Sequence, residues 1–399
     1  MLAYEKFGKN NTPQKAKKKS DHFVGDYYVM YSQQLKNDPN LEKEVQDCLR
    51  KWEAGDKKTL FLWKKMNSWA LKGFKETYKK FNLKIDKSYF ESKIYKKGKE
   101  IVLDQLKREN LEQKPDGAVF IDLSRQGLGE KVLLRADGTA IYTTQDLYLA
   151  ILRKKEYNFD KMLYVVANEQ DYHFKTLFTI LKVFGYDWAD KLYHLSYGLV
   201  HLESGRLKSR EGNIIDADNL IKEMKILAFK DIELRYPKLS KKEKDSRAFS
   251  IAIAAIRYYF LKIDRLKDMV FKPQESINFE GNTGPYLLYT YARARSILRK
   301  AKYNHKAIYQ IKEITEYEKN LISELIKFPD IVQQAYKNLS PNIIANYTHQ
   351  LSQIFNEFYH AEKVIGSEKE QFRLALVDGF SIVLKNALNL LGIETLEQM

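Results

Sequence analysis

"KMLYVVANEQDYHFKTLFTILKVFGY", residues 161–186, reads as a strand, a loop, a helix and a glycine stop. The stretch "KLYHLSYGLVHLESGRLKSREGNIIDADNLIKEMKILAFK", residues 191–230, repeats that order, with Asp216 or Asp218 as the helix N-cap. Before them, "GAVFIDLSRQGLGEKVLLRADGTAIYTTQDLYLAILRKKEY", residues 117–157, alternates strand-like runs with turns and ends in a helix. Buried strands alternating with helices predict a parallel α/β sheet.

On either side of this region the pattern is helical. Residues 9–22 form a polar, Lys-rich loop. Residues 41–56, "LEKEVQDCLRKWEAGD", form a helix that ends at a Gly-Asp stop. Residues 57–83 are amphipathic, with Trp63, Trp69 and Phe74 among the bulky side chains, and residues 88–110 carry another helix. After about residue 225 the strands vanish, and helical periodicity covers 250–263, 285–301, 316–338, 342–364 and 368–391. Leu287, Tyr291, Ala294, Leu298 and Ala301 share one helix face, and Tyr347, Leu351, Ile354 and Phe358 another. Gly392 reads as a C-terminal helix stop. No internal repeat is present.

A chain of 399 residues predicts two or three domains. With 44% apolar and 30% charged residues, the composition is that of a soluble globular protein. The net charge of +16 calls for an anionic partner, nucleic acid ahead of an acidic membrane surface, although it also serves solubility. Cys48 is the only cysteine, which excludes a disulfide framework and a zinc site built on paired cysteines; no metal site is expected. The N-terminus has no apolar core of signal-peptide type, and no apolar run is long enough to span a bilayer. The expectation is a cytoplasmic protein with no membrane partner.

A parallel sheet binds ligands at the carboxyl ends of its strands, and three loops sit at such ends. In "LLRADGTAIYTTQDL", residues 133–147, Tyr142 and Asp146 are one helical turn apart and can face one pocket. A carboxylate beside a phenol suits a cationic head such as a guanidinium; the same pair also reads as a helix cap and a core tyrosine. In "VVANEQDYHF", residues 165–174, Gln170 can donate and accept, as a zwitterionic amino acid requires, and His173 can donate to a phosphate or cap a helix. In "SGRLKSREGN", residues 204–213, Arg206, Lys208 and Arg210 stand between Gly205 and Gly212, suited to charge developing on a leaving pyrophosphate or equally to a solvated basic loop.

Together these loops resemble the class I aminoacyl-tRNA synthetases. Residues 206–210 are similar to the signature loop named KMSKS, in the variant form of arginyl-tRNA synthetases. Arg206 replaces the first Lys, Leu207 the Met, and Ser209 stands where the second Lys would be. "FEGNTGPYLLYTYARARSILRKA", residues 279–301, is similar to the most recognisable stretch of that family, where the catalytic part joins the anticodon-binding helices. "ADGTAIYTTQDL", "YVVANEQDYHF" and the C-terminal "LLGIETLEQM" follow in the family's order. The resemblance implies arginine–tRNA ligation, with arginine, ATP with Mg2+ and tRNA-Arg as substrates, bound tRNA needed for the first step, and no tightly bound cofactor. It implies that Tyr142, Asp146 and Gln170 hold arginine, that His173 and the backbone near Leu199 and Val200 meet ATP, and that Arg206, Lys208, Ser209 and Arg210 act on its phosphates. Arg293, Arg295, Arg299 and Lys300 lie off the apolar face of their helix and are candidates for tRNA contact, or for a solvated basic face.

The expected fold is α/β plus all-α. Residues 1–230 are expected to form a partial Rossmann-like catalytic domain with a helical insertion at about 20–115. A helical connection at 231–284 and a helical-bundle anticodon-binding domain at 285–399 complete the reading. The second class I signature, HIGH, begins at none of the seven histidines, and the resemblance places it, with the N-terminal domain, upstream of Met1. The expectation is therefore a C-terminal part, inactive alone, with an inner strand left as an exposed edge. A truncated or misassembled gene is the favoured origin. A split enzyme completed by a separate N-terminal segment, or a non-catalytic tRNA-binding paralogue, are the alternatives.

Overall fold

The structure is a computed structural model and describes residues 1–202, 216–301, 303 and 313–399. The chain divides into two compact units. The first holds Met1–Lys84, His201–Ile263 and Val270–Met399; the second holds Ile85–Val200 and Asp264–Met269.

The first unit opens with α1 (Leu2–Phe7), α2 (Ser20–Asn37), α3 (Asn40–Glu53) and α4 (Lys57–Lys80). The expected Gly-Asp stop is both an end and a start. Gly55 takes φ +80° after α3, and Asp56 caps α4 by accepting the Thr59 amide at 2.8 Å. Tyr4, Phe23, Tyr27, Leu62 and Met66 bury a small core among α1, α2 and α4.

The second unit runs α5 (Glu91–Lys107), β1 (Glu112–Gln113), β2 (Val119–Leu123), β3 (Gly129–Leu134), α6 (Tyr142–Tyr157), β4 (Met162–Ala167), α7 (Asp171–Val183) and β5 (Leu192–Tyr197). Here the parallel-sheet expectation holds only in part. β4 and β5 pair in parallel from Met162↔Leu192 to Ala167↔Tyr197, because the intervening α7 supplies the crossover a parallel pair needs. β1, β2 and β3 pair antiparallel, because the turn from Leu123 to Gly129 is too short for a crossover and reverses at Gly127, φ +70°. Leu123, Leu133, Leu147, Leu177 and Ile180 form the core of this unit. The β4–β5 face carrying Leu163, Val165, Tyr193 and Tyr197 is exposed, Val165 at 63%, although parallel strands are usually covered on both faces.

Two short strands, β6 (Val200–Leu202) and β7 (Met269–Phe271), pair with each other. β7 departs from the all-helical reading of the second half. Between them lie α8 (Ala217–Arg235) and α9 (Lys241–Leu261); after them come α10 (Pro273–Ser276), α11 (Gly284–Lys300), α12 (Glu316–Ile326), α13 (Phe328–Asn338), α14 (Pro341–Ala361) and α15 (Glu370–Leu390). The stretch read as one helix, 316–338, breaks at Lys327 because Pro329 cannot continue the backbone ladder of the preceding turn.

The "GNTGP" run has a local physical account. Thr283 caps α11 by accepting the Tyr286 amide at 3.3 Å, and Asn282 accepts the Tyr258 hydroxyl. Gly284 lets α11 touch α9: a Cβ there would lie 2.3 Å from the carbonyl oxygen of Ala254. Tyr258, Tyr291, Leu351, Phe355, Phe358 and Phe380 fill the helical core, with the Phe355 and Phe380 rings stacked at 3.8 Å. α15 ends as expected at Gly392, φ +70°, whose amide reaches the Asn389 carbonyl at 2.9 Å while that of Ile393 reaches Leu388 at 2.8 Å. Arg257 of α9 donates to the carbonyls of both Phe81, just after α4, and Gly392. No described helix is long and apolar enough to cross a membrane.

Candidate functional site

Three residues singled out in the sequence meet in the second unit. Tyr142 and Asp146 lie on the first turns of α6, and His173 on the first turn of α7. The His173 Nε2 is 2.8 Å from Asp146 Oδ2, and the Tyr142 and His173 rings are 4.9 Å apart. Tyr142 is 64% exposed, whereas the His173 side chain is only 9% exposed. The phenol therefore stands at the mouth and the imidazole behind the carboxylate. Gln170 is exposed and ends the short turn between β4 and α7.

The backbone sets this group. The Thr144 hydroxyl donates to the Leu133 carbonyl at 2.7 Å, which ties α6 to β3. Gly98 of α5 lies so close to α6 that a Cβ would fall 2.5 Å from the Thr144 carbonyl oxygen. Behind His173, Phe174 lies 4.4 Å from the ring of His194 on β5. His194 was not singled out in the sequence. Its Nδ1 lies 3.0 Å from Asp171 and its Nε2 2.9 Å from the Val166 carbonyl, so it joins β4, β5 and α7. Tyr164 completes the wall, and burial pushes its phenol up to about 12, keeping it neutral.

At the end of β5, Gly198 is required because a Cβ would meet the Lys267 carbonyl oxygen at 2.4 Å. The Leu199 amide donates to Asp268 at 2.7 Å, and its carbonyl accepts from Met269 at 2.9 Å. Both backbone groups of Leu199 are thus bonded within the chain, while Val200 beside it is 40% exposed.

Arg206, Lys208, Ser209 and Arg210 lie outside the described residues. Directly after them Asp216 caps α8 by accepting the Asn219 amide at 2.7 Å, and Asp218 does something the sequence did not reveal. Its carboxylate gathers Lys19 at 2.7 Å, Thr77 at 2.8 Å and Lys80, with His22 at 3.5 Å. Burial works to raise the Asp218 carboxyl, but the bonds from Lys19, Lys80 and Thr77 outweigh it and hold it far below the usual carboxylate range. Asp21 takes the other side of Lys19 at 2.7 Å, and Gly73 is needed beside it, since a Cβ would lie 2.2 Å from Asp21 Oδ1. Asp21, His22 and Asp218 place ligand atoms within 4.8 Å of one another, but Lys19 and Lys80 already neutralise these carboxylates, so the group does not fit a cation.

In the helical core of the first unit, α11 carries the four basic candidates. Arg293 donates to Asn356 at 2.7 Å and lies over the rings of Tyr289 and Tyr359 at 4.9 and 5.1 Å. Arg295 and Arg299 both engage Glu397, at 2.9 Å through its carboxylate and 2.8 Å through its carbonyl. Lys300 is exposed and, with Arg293, Tyr359, His360 and Lys363, lines a cavity of about 410 Å³.

The chain matches the family described as "tRNA synthetases class I (R), catalytic domain" over residues 2–272 and the "DALR anticodon binding domain" over residues 287–399. It is 42% identical over 426 residues to an arginine–tRNA ligase of Bacteroides fragilis, covering all of this chain and 71% of that protein. It is 43% identical over 412 residues to one of Treponema denticola, covering all of this chain and 70% of that protein. The fold is similar to that of the Thermus thermophilus arginyl-tRNA synthetase, with TM-score 0.86 and 26% identity over all of this chain and 73% of that one. It is also similar to the enzyme of Plasmodium falciparum, with TM-score 0.77 and 27% identity over 93% of this chain and 68% of that one.

Proposed function

The chain belongs to the arginyl-tRNA synthetase family, and on that premise we propose how its residues carry out arginine–tRNA ligation. The reaction has two steps. The carboxylate of arginine attacks the α-phosphate of ATP, forming arginyl-adenylate and releasing pyrophosphate. A hydroxyl of the terminal tRNA ribose then attacks the activated carbonyl and releases AMP.

Asp146 takes the arginine guanidinium. One of its oxygens is held by His173, which fixes the carboxylate and leaves the other oxygen open. Tyr142 forms the exposed wall against which the side chain lies, and Gln170 addresses the amino and carboxyl end. His173 orients Asp146 and faces the ATP side, and Val200 with Leu199 marks the adenine end. ATP enters as its magnesium complex, and Arg206, Lys208, Ser209 and Arg210 act on its phosphates. Arg293, Arg295, Arg299 and Lys300 meet tRNA-Arg on the helical half. The chain divides into a catalytic part at 1–230, a connection at 231–284 and an anticodon-binding part at 285–399; the family matches support the last of these boundaries, since one ends at 272 and the other begins at 287, while the catalytic match continues through 231–272. The protein works in the cytoplasm, where its tRNA is charged.

The observation that carries the substrate assignment is the Asp146–His173 bond beside Tyr142. Titration calorimetry of arginine against the tRNA-bound protein tests it. Arginine binds, citrulline, its neutral isostere, does not, and Asp146→Asn abolishes the difference. Equal binding of arginine by Asp146→Asn and the parent would overturn the assignment.

A further inference from the structure

The start of α2 carries features that the ligation reaction does not account for. Residues 12–18 form a folded turn, with the Ala16 amide on the Thr12 carbonyl at 2.9 Å and that of Lys18 on Pro13 at 3.0 Å. The turn delivers the chain to an 18-residue helix whose N-cap, Lys19, provides no side-chain acceptor. Lys19 therefore caps none of the first amides of α2; Asp21 takes that of His22 at 3.0 Å, which leaves those of Ser20 and Asp21 at the positive end of the helix dipole.

Ser20, the first residue of α2, is 7% exposed, and its hydroxyl has no partner among the described residues. A buried hydroxyl without a partner is costly unless something fills the position. Ser20 also lines a cavity of about 300 Å³ together with Lys17, Lys18, Lys19, Lys72 and Glu76. Two of these lysines are already engaged, Lys18 by Asp26 and Lys19 by Asp21 and Asp218. Lys17 and Lys72 have no carboxylate partner among the described residues. Asp21, the acid nearest the helix start, is engaged by Lys19 and by the His22 amide at 3.0 Å. The lining is net positive, so an apolar occupant does not fit.

We infer that the N-terminus of α2 is a phosphate-binding site. Lys17 and Lys72 supply charge, Ser20 donates its hydroxyl, and the amides of Ser20 and Asp21 at the start of the helix point to the same end. A phosphate has the several acceptor oxygens that such converging donors require. The group comes either from the RNA backbone or from free phosphate, including pyrophosphate. The RNA source rests on the proposed tRNA function; the free source does not.

The test uses the full chain, the double variant Lys17→Met with Lys72→Met, and separately Ser20→Ala, each checked for unchanged thermal unfolding. First, tRNA-Arg binding is measured against potassium chloride concentration. An RNA phosphate at this site makes the logarithmic salt slope of the double variant shallower by about one, since each neutralised phosphate contributes about 0.7 to 0.9, and Ser20→Ala weakens binding several-fold at fixed salt. Second, sodium pyrophosphate and inorganic phosphate are titrated calorimetrically without tRNA. A free anion binds the parent and is lost in both variants, with the tRNA slope unchanged. Variants that match the parent in both experiments overturn the site. A parent chain that fails to bind tRNA at any salt would instead sink the tRNA function, and the phosphate titration would still decide this inference.

Discussion

His173 Nε2 and Asp146 Oδ2 lie 2.8 Å apart, a single bond joining the first turn of α7 to the first turn of α6. The two lie 27 positions apart in the chain with a whole strand between them, so the contact exists only in the folded unit. It also means that the carboxylate proposed for guanidinium binding is already aligned by a neighbour.

That alignment separates two variants. Asp146→Asn is expected to weaken arginine binding roughly 100-fold, the scale of a lost charge-assisted pair. His173→Ala keeps the carboxylate but removes its alignment, and is expected to weaken arginine binding about tenfold. Calorimetry measures both. Tighter arginine binding by His173→Ala would mean that the imidazole competes with the substrate and does not position its partner.

The Asp218 cluster predicts an acid-sensitive stability. Its folded carboxyl is depressed, so its contribution is complete above the unfolded carboxylate range near about pH 4 and is lost as the pH falls below that. Asp218→Asn is expected to lower the unfolding free energy at neutral pH by about 1–3 kcal/mol, leaving Lys80 without its partner. Urea titrations from neutral to acid pH should show the parent and the variant converging as the pH falls. Parallel curves would place the acid sensitivity elsewhere.

Two glycines should respond oppositely to alanine. Gly284→Ala forces a Cβ to 2.3 Å from the Ala254 carbonyl oxygen, and the backbones of α9 and α11 must separate, at a cost of about 1–3 kcal/mol. Gly25 of α2 has nothing within 4 Å of the same position, and Gly25→Ala should stabilise by about 0.5–1 kcal/mol through helix propensity. Thermal unfolding of the pair reads both signs.

On α11, stability and RNA contact separate by residue. Arg295→Ala breaks the contact with Glu397 and is expected to lower thermal stability, by under about 1 kcal/mol for a pair this exposed. Lys300→Ala leaves stability unchanged, while tRNA binding weakens with a shallower salt slope. Loss of stability without any change in tRNA binding in both variants would remove this helix face from the RNA surface.

Local signals in the sequence were the readable ones. Strand, loop and helix at 161–186, the turn at Gly55 and the ending at Gly392 follow from periodicity and from glycines that adopt positive φ. The sheet was half legible: the crossover through α7 announces a parallel pair, whereas the β2–β3 reversal depends on counting the residues between two strands. β7 is three residues long and carries no periodicity to detect. The site divided the same way. Tyr142 and Asp146 share one helical turn, and that spacing is visible. His194 could have been found only from its place on the same strand face as Leu192 and Ser196. Asp218 could not be found, because Lys19, Thr77 and Lys80 are far off in the chain and no pattern in a linear string pairs a charge with a partner brought to it by folding.

Arg257, bonded to the carbonyls of Phe81 and Gly392, bears on the order in which the chain can fold as the ribosome releases it. The second unit is nearly contiguous and has all its residues once 269 has emerged. The helices α1 to α4 belong to a unit whose remaining parts come after it, and one of their ties waits for a side chain at 257 that itself waits for a carbonyl at 392. The helices up to residue 80 therefore wait for residue 392 before this tie can form, and their lysine-rich surface stays without it until then.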